Sequence, residues 1–360
     1  MAKSGTADLP LHTGKAPRWL FDRMEELGGK ISEVIIEEHG QEVLLERLAD
    51  PYWFQAFGCV LGFDWHSSGL TTTTMGALKQ ALEPEEHGLK VVGGKGSASR
   101  NTPEEIAGNE FNLSTSAVER LQDISRKSAA VDNSTVQDSY TLYHHTMVVS
   151  EEGDWVVVQQ GMNDSYARRY HWLSSETEGL LEDPQAAVAS QRKRDETLNL
   201  SSSRSGETRE ISVDLVNDNP SHLMKYVNGQ HSLDDFSRNR KLDMPQHHIL
   251  RDSDLSEKSI EQLQEAYEVQ PADYEELLSV KGVGKKSLRA LALISELVYG
   301  SESSWDDPAK YSYAHGGKDG TPYPVDREKY DESIEHLEHA LEKTEDGKHK
   351  RKAMKRLSRF

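Results

Sequence analysis

Two groups of residues in this sequence have types and spacing that could do chemistry. The first is Asp64, His66, Asp132, Asp138 and His145. Carboxylate oxygens with imidazole nitrogens are a donor set for a divalent ion, and if these side chains converge they could hold Mg²⁺ or Mn²⁺. Each histidine taken singly could instead be a hydrogen-bonded residue at a domain edge. The second group is LLSVKGVGKKSLRAL, residues 277–291. Gly282 and Gly284 bracket Val283, so the turn can be tight and its amides bare. Ser287 opens an amphipathic helix running to about Tyr299, with Lys281, Lys285 and Lys286 beside its start. Bare amides at a helix N-terminus, with added positive charge, make an anion site. The plainer alternative is an αα-hairpin with a glycine turn.

Other polar clusters fit anions less specifically. Thr71 to Thr74 precede a short helix expected over Met75 to Leu82, and their hydroxyls could hold an anion or cap the helix. The stretch Val92 to Arg100 is glycine-rich and carries Lys95 and Arg100, which suits phosphate contact. It lacks the GxxxxGK[ST] pattern, so ATP binding is not supported. Gln159 with Gln160, and Arg168 with Arg169 beside Tyr170 and Trp172, would suit a nucleic-acid surface.

Several elements must position these residues. Helices are expected over about Pro17–Leu27, Gln41–Ala49 and Val118–Val131. Strands Tyr140–Val149 and Trp155–Gln160 flank the turn residues Ser150 to Asp154, a hairpin signal. Strand alternation puts Tyr143 and His145 on one side, Leu142 and His144 on the other, so one histidine can face Asp132 or Asp138. The expected architecture is α+β. A mixed α/β domain spans 1–172 and a polar linker or mobile segment 173–210. A mostly helical region spans 211–347 and a basic tail 348–360. That tail holds seven Lys or Arg among its thirteen residues and no acid, so it is a solvated helix end or a nucleic-acid arm.

Composition sets bounds. The chain has 360 residues and no run apolar enough to span a bilayer, so a soluble, cytoplasmic protein is expected. Cys59 is the sole cysteine and sits in an apolar run, which excludes an intrachain disulfide or a cysteine-based zinc site. The net charge is −19, spread along the chain. This is similar to the acidic proteins of salt-accumulating archaea; an acidic mesophile protein is the alternative. In molar salt the Debye length is about 3 Å, so distant acids barely disturb a close phosphate contact.

The hairpin Lys281–Ser287 resembles a helix-hairpin-helix motif, which grips a DNA backbone without reading bases. That resemblance implies DNA as a partner and a repair or processing role. Gly282-Val283-Gly284-Lys285-Lys286-Ser287 also resembles the hairpin of helix-hairpin-helix DNA glycosylases, with Pro324-Val325-Asp326 matching their later aspartate across a longer gap. The likeness implies Lys286 as a Schiff-base amine and Asp326 as the carboxylate that stabilises charge on the sugar. The insert from Ser301 to Thr321 would then be a base-binding loop. The segments FGCVLGFDWHSSGLTTT, LYHH, VVVQQGM, ARRYHW and YAHGGKDGTPYPVD together resemble an uncharacterised family of archaea and some bacteria, over nearly the whole chain. The reading is a DNA-binding repair or processing protein. Its alternatives are a metal-dependent nuclease using the Asp/His group, a glycosylase or AP lyase using Lys286 and Asp326, and a non-catalytic repair scaffold.

Overall fold

Strong local stop signals divide the first helical layer. A computed structural model describes residues 16–63, 68–108, 111–164, 166–190, 196–223, 256–309 and 327–343. Helices α1 (Arg18–His39) and α2 (Gln41–Ala49) are separated by Gly40 at φ +90°. Helix α3 (Pro51–Val60) starts where Asp50 accepts N–H bonds from Tyr52 and Trp53 and Pro51 takes the first position. Helix α1 continues twelve residues past the expected Leu27, because bare Gly28 and Gly29 fit against Leu61, Leu78 and Ala81. Helix α4 (Gly69–Ala81) contains Thr71 to Thr74 instead of following them. Cys59 is buried, as expected.

Short helix α5 (Pro84–His87) leads into β1 (Leu89–Lys95), then α6 (Ser97–Arg100), α7 (Thr102–Ala107) and α8 (Thr115–Ala130). A π-helical turn, Val131–Thr135, ends α8 and leads to β2 (Val136–Gln137). Strands β3 (Thr141–Ser150), β4 (Trp155–Met162), β5 (Ala167–Leu173), β6 (Ala187–Ser190) and β7 (Leu198–Asn199) follow. The antiparallel sheet has the order β1-β3-β4-β5-β6, while β2 pairs with β7. Helices α9 (Gly206–Asn217), α10 (Glu257–Val269), α11 (Tyr274–Ser279), α12 (Lys285–Ile294) and α13 (Arg327–Lys343) complete the described chain. The fold is α+β, and no described helix is long and apolar enough to cross a membrane.

Helices cover the sheet on both faces, and strand alternation sorts its side chains between two cores. Val148, Val156, Val158 and Leu173 pack with α1–α4 and α13. Met147, Val149, Val157 and Trp172 pack with α8, α9 and α10–α12. Each fully buried large apolar side chain contributes ~1.5–3 kcal/mol. The second core therefore joins the sheet to the C-terminal helices. The described residues of 173–210 are not a linker: they supply β6 to the main sheet, pair β7 with β2, and start α9. Its polar composition does not mean solvent, because Ser190, Ser201, Ser202 and Ser205 are buried, Ser201 bonding Asn199 and Ser205 the Asn199 carbonyl.

The glycine-rich segment at 92–100 is also redefined. Val92 to Lys95 form the end of edge strand β1, and Ser97 to Arg100 form α6. Gly93 has φ +88°, and an added Cβ would collide with the His145 carbonyl oxygen and sit 2.6 Å from Thr102 Oγ1. Gly93→Ala is expected to cost roughly 2–4 kcal/mol, from left-handed strain plus overpacking. Urea denaturation checks this; a loss below ~1 kcal/mol would mean the strand edge relaxes freely.

Candidate functional site

Apolar residues give way to polar ones toward one end of β3, β4 and β5, yet burial persists. The register aligns His145 with Gln159 and Tyr170, and His144 with Gln160 and Arg169. Each row faces a different helical layer.

On the α8 side, hydrogen bonds link a histidine to an aspartate. Gln159 Nε2 donates to Asp132 Oδ2 at 2.5 Å and to the Ser128 carbonyl at 3.2 Å. Gln159 Oε1 is then the acceptor for His145 Nδ1 at 2.9 Å. That fixes the tautomer, so His145 Nε2 accepts from the Ser125 hydroxyl at 2.9 Å. Burial pulls the His145 pKa down to about 4, against the Gln159 contact. Asp132 also accepts from Trp172 Nε1 at 2.8 Å and Gln185 Nε2 at 2.7 Å. Those N–H donors favour the anion, but burial outweighs them and pushes its pKa up to about 8. At neutral pH the relay Ser125–His145–Gln159–Asp132 thus holds a neutral imidazole and a mostly protonated carboxyl.

Beside it lies a buried ion cluster. Arg168 donates to Asp138 at 3.0 Å and grips Asp307 through both terminal nitrogens, at 2.9 and 2.7 Å. Its guanidinium lies 4.7 Å from the Tyr140 ring centroid. Asp138 also accepts from Tyr170 Oη at 2.5 Å and from the Tyr140 amide at 2.9 Å. Burial raises the Asp138 pKa, opposed by Arg168 and Tyr170.

The α1–α4 side contains a β-bulge between Leu142 and His144. A bulge sets two residues against one partner residue, so Tyr143 and His144 share the Gln160 side. The expected strict alternation therefore fails at Tyr143: its hydroxyl meets Gln160 Nε2, while Leu142 packs near Tyr170 across the sheet. Gln160 also bonds the Ser68 carbonyl at 2.7 Å and the Thr71 hydroxyl. Arg169 bonds Gln55 and lies 4.5 Å from the Phe54 ring centroid. His171 Nδ1 donates to the Leu48 carbonyl at 2.9 Å. Burial, reinforced by neighbouring cations, lowers His144 to about 3 and His171 well below its ordinary value.

The lysine hairpin docks against this end of the sheet. Asp273 caps α11 by accepting from the Glu276 amide at 2.8 Å. Gly282 has φ +95°, and a Cβ there would lie 2.9 Å from the Gln262 side chain. Gly284 caps α12 with no side-chain hydrogen bond. Lys281 and Lys286 are exposed. Lys285 turns inward to the Tyr140 carbonyl, and its own carbonyl accepts from Gln137 Nε2 at 2.8 Å. Burial lowers the Lys285 pKa, with Asp138 opposing. Helix α12 ends at Ile294 and passes into a π-helical turn, Ser295–Tyr299. Next to this end, Ser139, Thr141, Tyr143, Met162, Asn163 and Tyr166 border an open recess of about 600 Å³.

The expected site residues therefore separate. Asp132 and His145 do face one another, but through Gln159. Among the described residues, no three ligand atoms from Asp132, Asp138 and His145 come within 4.8 Å of one another. Asp64, His66 and Asp326 lie outside the described residues, as does the tail 348–360. Arg168 and Arg169 are not surface cations: both are fully buried, because long-range partners at Asp138, Asp307 and Gln55 desolvate them. Lys285 and Ser287 are likewise turned into the fold, unlike Lys281 and Lys286. Lys95 is exposed and lies 5.5 Å from the Tyr143 ring centroid, and Arg100 is exposed at the end of α6. Of the expected base-binding insert, Trp305 instead bonds Glu296 at 3.0 Å and Asp307 binds Arg168, while its residues beyond 309 lie outside the described ones. Asp307, Gln185 and Gln55 carried no sequence signal, since each meets its partner across at least fifty residues of chain.

The fold and this site define an α+β protein with a buried polar sheet end and a helical hairpin seated on it. The chain belongs to the family described as protein of unknown function (DUF763), whose sequence model matches residues 5–325. No curated protein and no solved structure matches it.

Proposed function

We propose that this protein binds DNA through its backbone, by the α11–α12 hairpin, in a repair or processing role. The observation that carries the reading is the hairpin surface. Lys281 and Lys286 are exposed on either side of a glycine turn, and α12 begins at Lys285 with Gly284 as an N-cap that makes no side-chain bond. The Val283 amide is taken by the Val280 carbonyl at 3.2 Å, so the grip falls to the N-terminus of α12 and the two ammonium groups beside it, which suit phosphate oxygens and carry no base information. A metal-dependent nuclease is less well supported, because Asp132, Asp138 and His145 are committed to internal partners. An AP lyase is less well supported too, because Lys286 is exposed, and the desolvation that commonly activates a Schiff-base amine is missing there.

Gly284→Glu tests the reading better than a change at Gly282. Gly284 has φ −152°, which any residue adopts, and the nearest atom to an added Cβ is the Gly282 carbonyl oxygen at 3.9 Å. The variant should keep its circular dichroism spectrum while its affinity for duplex or branched DNA falls at least tenfold, ~1.4 kcal/mol. Gel shifts at matched KCl measure it. Equal affinity of variant and parent removes the hairpin as the grip.

A further inference from the structure

We propose that Glu38, His39 and His339 form a binding site for Zn²⁺ or a similar borderline transition-metal ion, which fastens α13 to α1. The inference does not rest on the DNA reading. Glu38 and His39 end the last turn of α1, and His339 lies about three hundred residues later on α13. Leu337, Ala340 and Leu341 anchor α13 in the first core, which brings the three side chains together. One ligand atom from each lies within 4.8 Å of the other two. His339 Nε2 is 2.8 Å from Glu38 Oε2, and His39 Nε2 is 3.9 Å from the same oxygen. Zinc bonds of about 2.0–2.2 Å in a tetrahedron separate ligand atoms by ~3.3–3.5 Å, so small side-chain rotations complete the set.

The setting supports a ligand. The three residues line a recess between the helices, floored by Val34, Ile35 and Trp53. Two imidazoles and one carboxylate select zinc-like ions over Mg²⁺ or Ca²⁺, which take oxygen ligands. Three protein donors leave the fourth position to solvent. His336 shares the recess but is engaged by Arg47, so it stands outside the set. The Lys343 ammonium contacts the other Glu38 oxygen, Oε1, and so competes for the carboxylate and sets a positive charge beside the ion.

That competition gives the test a second direction. The full chain, stripped with EDTA, is titrated with ZnCl₂ by calorimetry and by thermal unfolding. We expect one ion per chain and a rise in Tm on adding Zn²⁺ but not Mg²⁺. His339→Ala and His39→Ala should each weaken binding at least tenfold, while Lys343→Met should strengthen it. All these side chains are exposed, so Tm in EDTA should stay near the parent value. Absence of zinc binding at 100-fold excess overturns the proposal. So does unchanged affinity in both histidine variants, which would place the ion on other histidines.

Discussion

Arg168→Met is expected to cost about 3–5 kcal/mol of folding stability, the range for breaking a buried ion pair from one side. The guanidinium is fully buried and pairs with two buried carboxylates, Asp138 and Asp307. Methionine matches the length of the stem but leaves both acids uncompensated in a low-dielectric interior. Asp138 retains Tyr170 and the Tyr140 amide, and Asp307 retains the Ala309 amide at 2.9 Å. Those contacts soften the loss without removing it. Typical domains hold only about 5–15 kcal/mol in total, so the variant could lose much of its stability. The triple variant Arg168→Met, Asp138→Asn, Asp307→Asn should recover a large part, because neutral amides carry no buried charge. Urea denaturation of the single and triple variants decides the matter. A single-variant loss under ~1 kcal/mol, or no recovery in the triple, would show that the cluster is not what binds β5 to the segment at 307.

Stability should pass through a maximum near pH 6.5, with a steeper fall on the acid side. His144, His145 and His171 are held neutral by burial, the first two with pKa values of about 3 and about 4. Unfolded histidine titrates near pH 6.5, so between about pH 6.5 and 4.5 the unfolded chain takes up three protons that the folded chain refuses. Asp132 works the other way. With a folded pKa of about 8 it keeps a proton that the unfolded chain has released above about pH 4. On the acid side three protons against roughly one leave a net uptake near two on unfolding, a slope of about 2–3 kcal/mol per pH unit. Between about pH 6.5 and 8 only the Asp132 contribution remains, and stability falls by ~1.4 kcal/mol per unit as pH rises. His144→Gln should remove about one proton from the acid slope, and Asp132→Asn should flatten the alkaline limb. Parent and variants sharing one pH profile of urea midpoints would sink the assignment.

Much of the local structure was legible. The Gln41–Ala49 helix, the β3–β4 hairpin and the Asp273-capped hairpin helices follow from periodicity and turn chemistry, which act within a few residues. Boundaries slipped where packing extended an element, as when α1 ran on through Gly28 and Gly29. The segment 173–210 looks like a linker in sequence but is not one, because polar residues signal solvent only when nothing else satisfies them. Here the serines and Asn199 bond one another and the backbone inside the protein.

The sequence by itself determined the α+β class, the helix and strand types, and the lysine-flanked glycine turn. Each of these rests on interactions between residues close along the chain. Only the tertiary structure decided which cations are available. Arg168 and Arg169 look like surface residues until Asp307 and Gln55 arrive from distant segments, and Lys285 looks like its neighbours until the Tyr140 carbonyl claims it. The bulge that turns Tyr143 to the His144 side is likewise invisible in a period-two pattern, because it is set by pairing with Gln160 on the next strand. Charge, burial and hydrogen bonding at this sheet end are properties of long-range pairs, and no single stretch of sequence contains both partners.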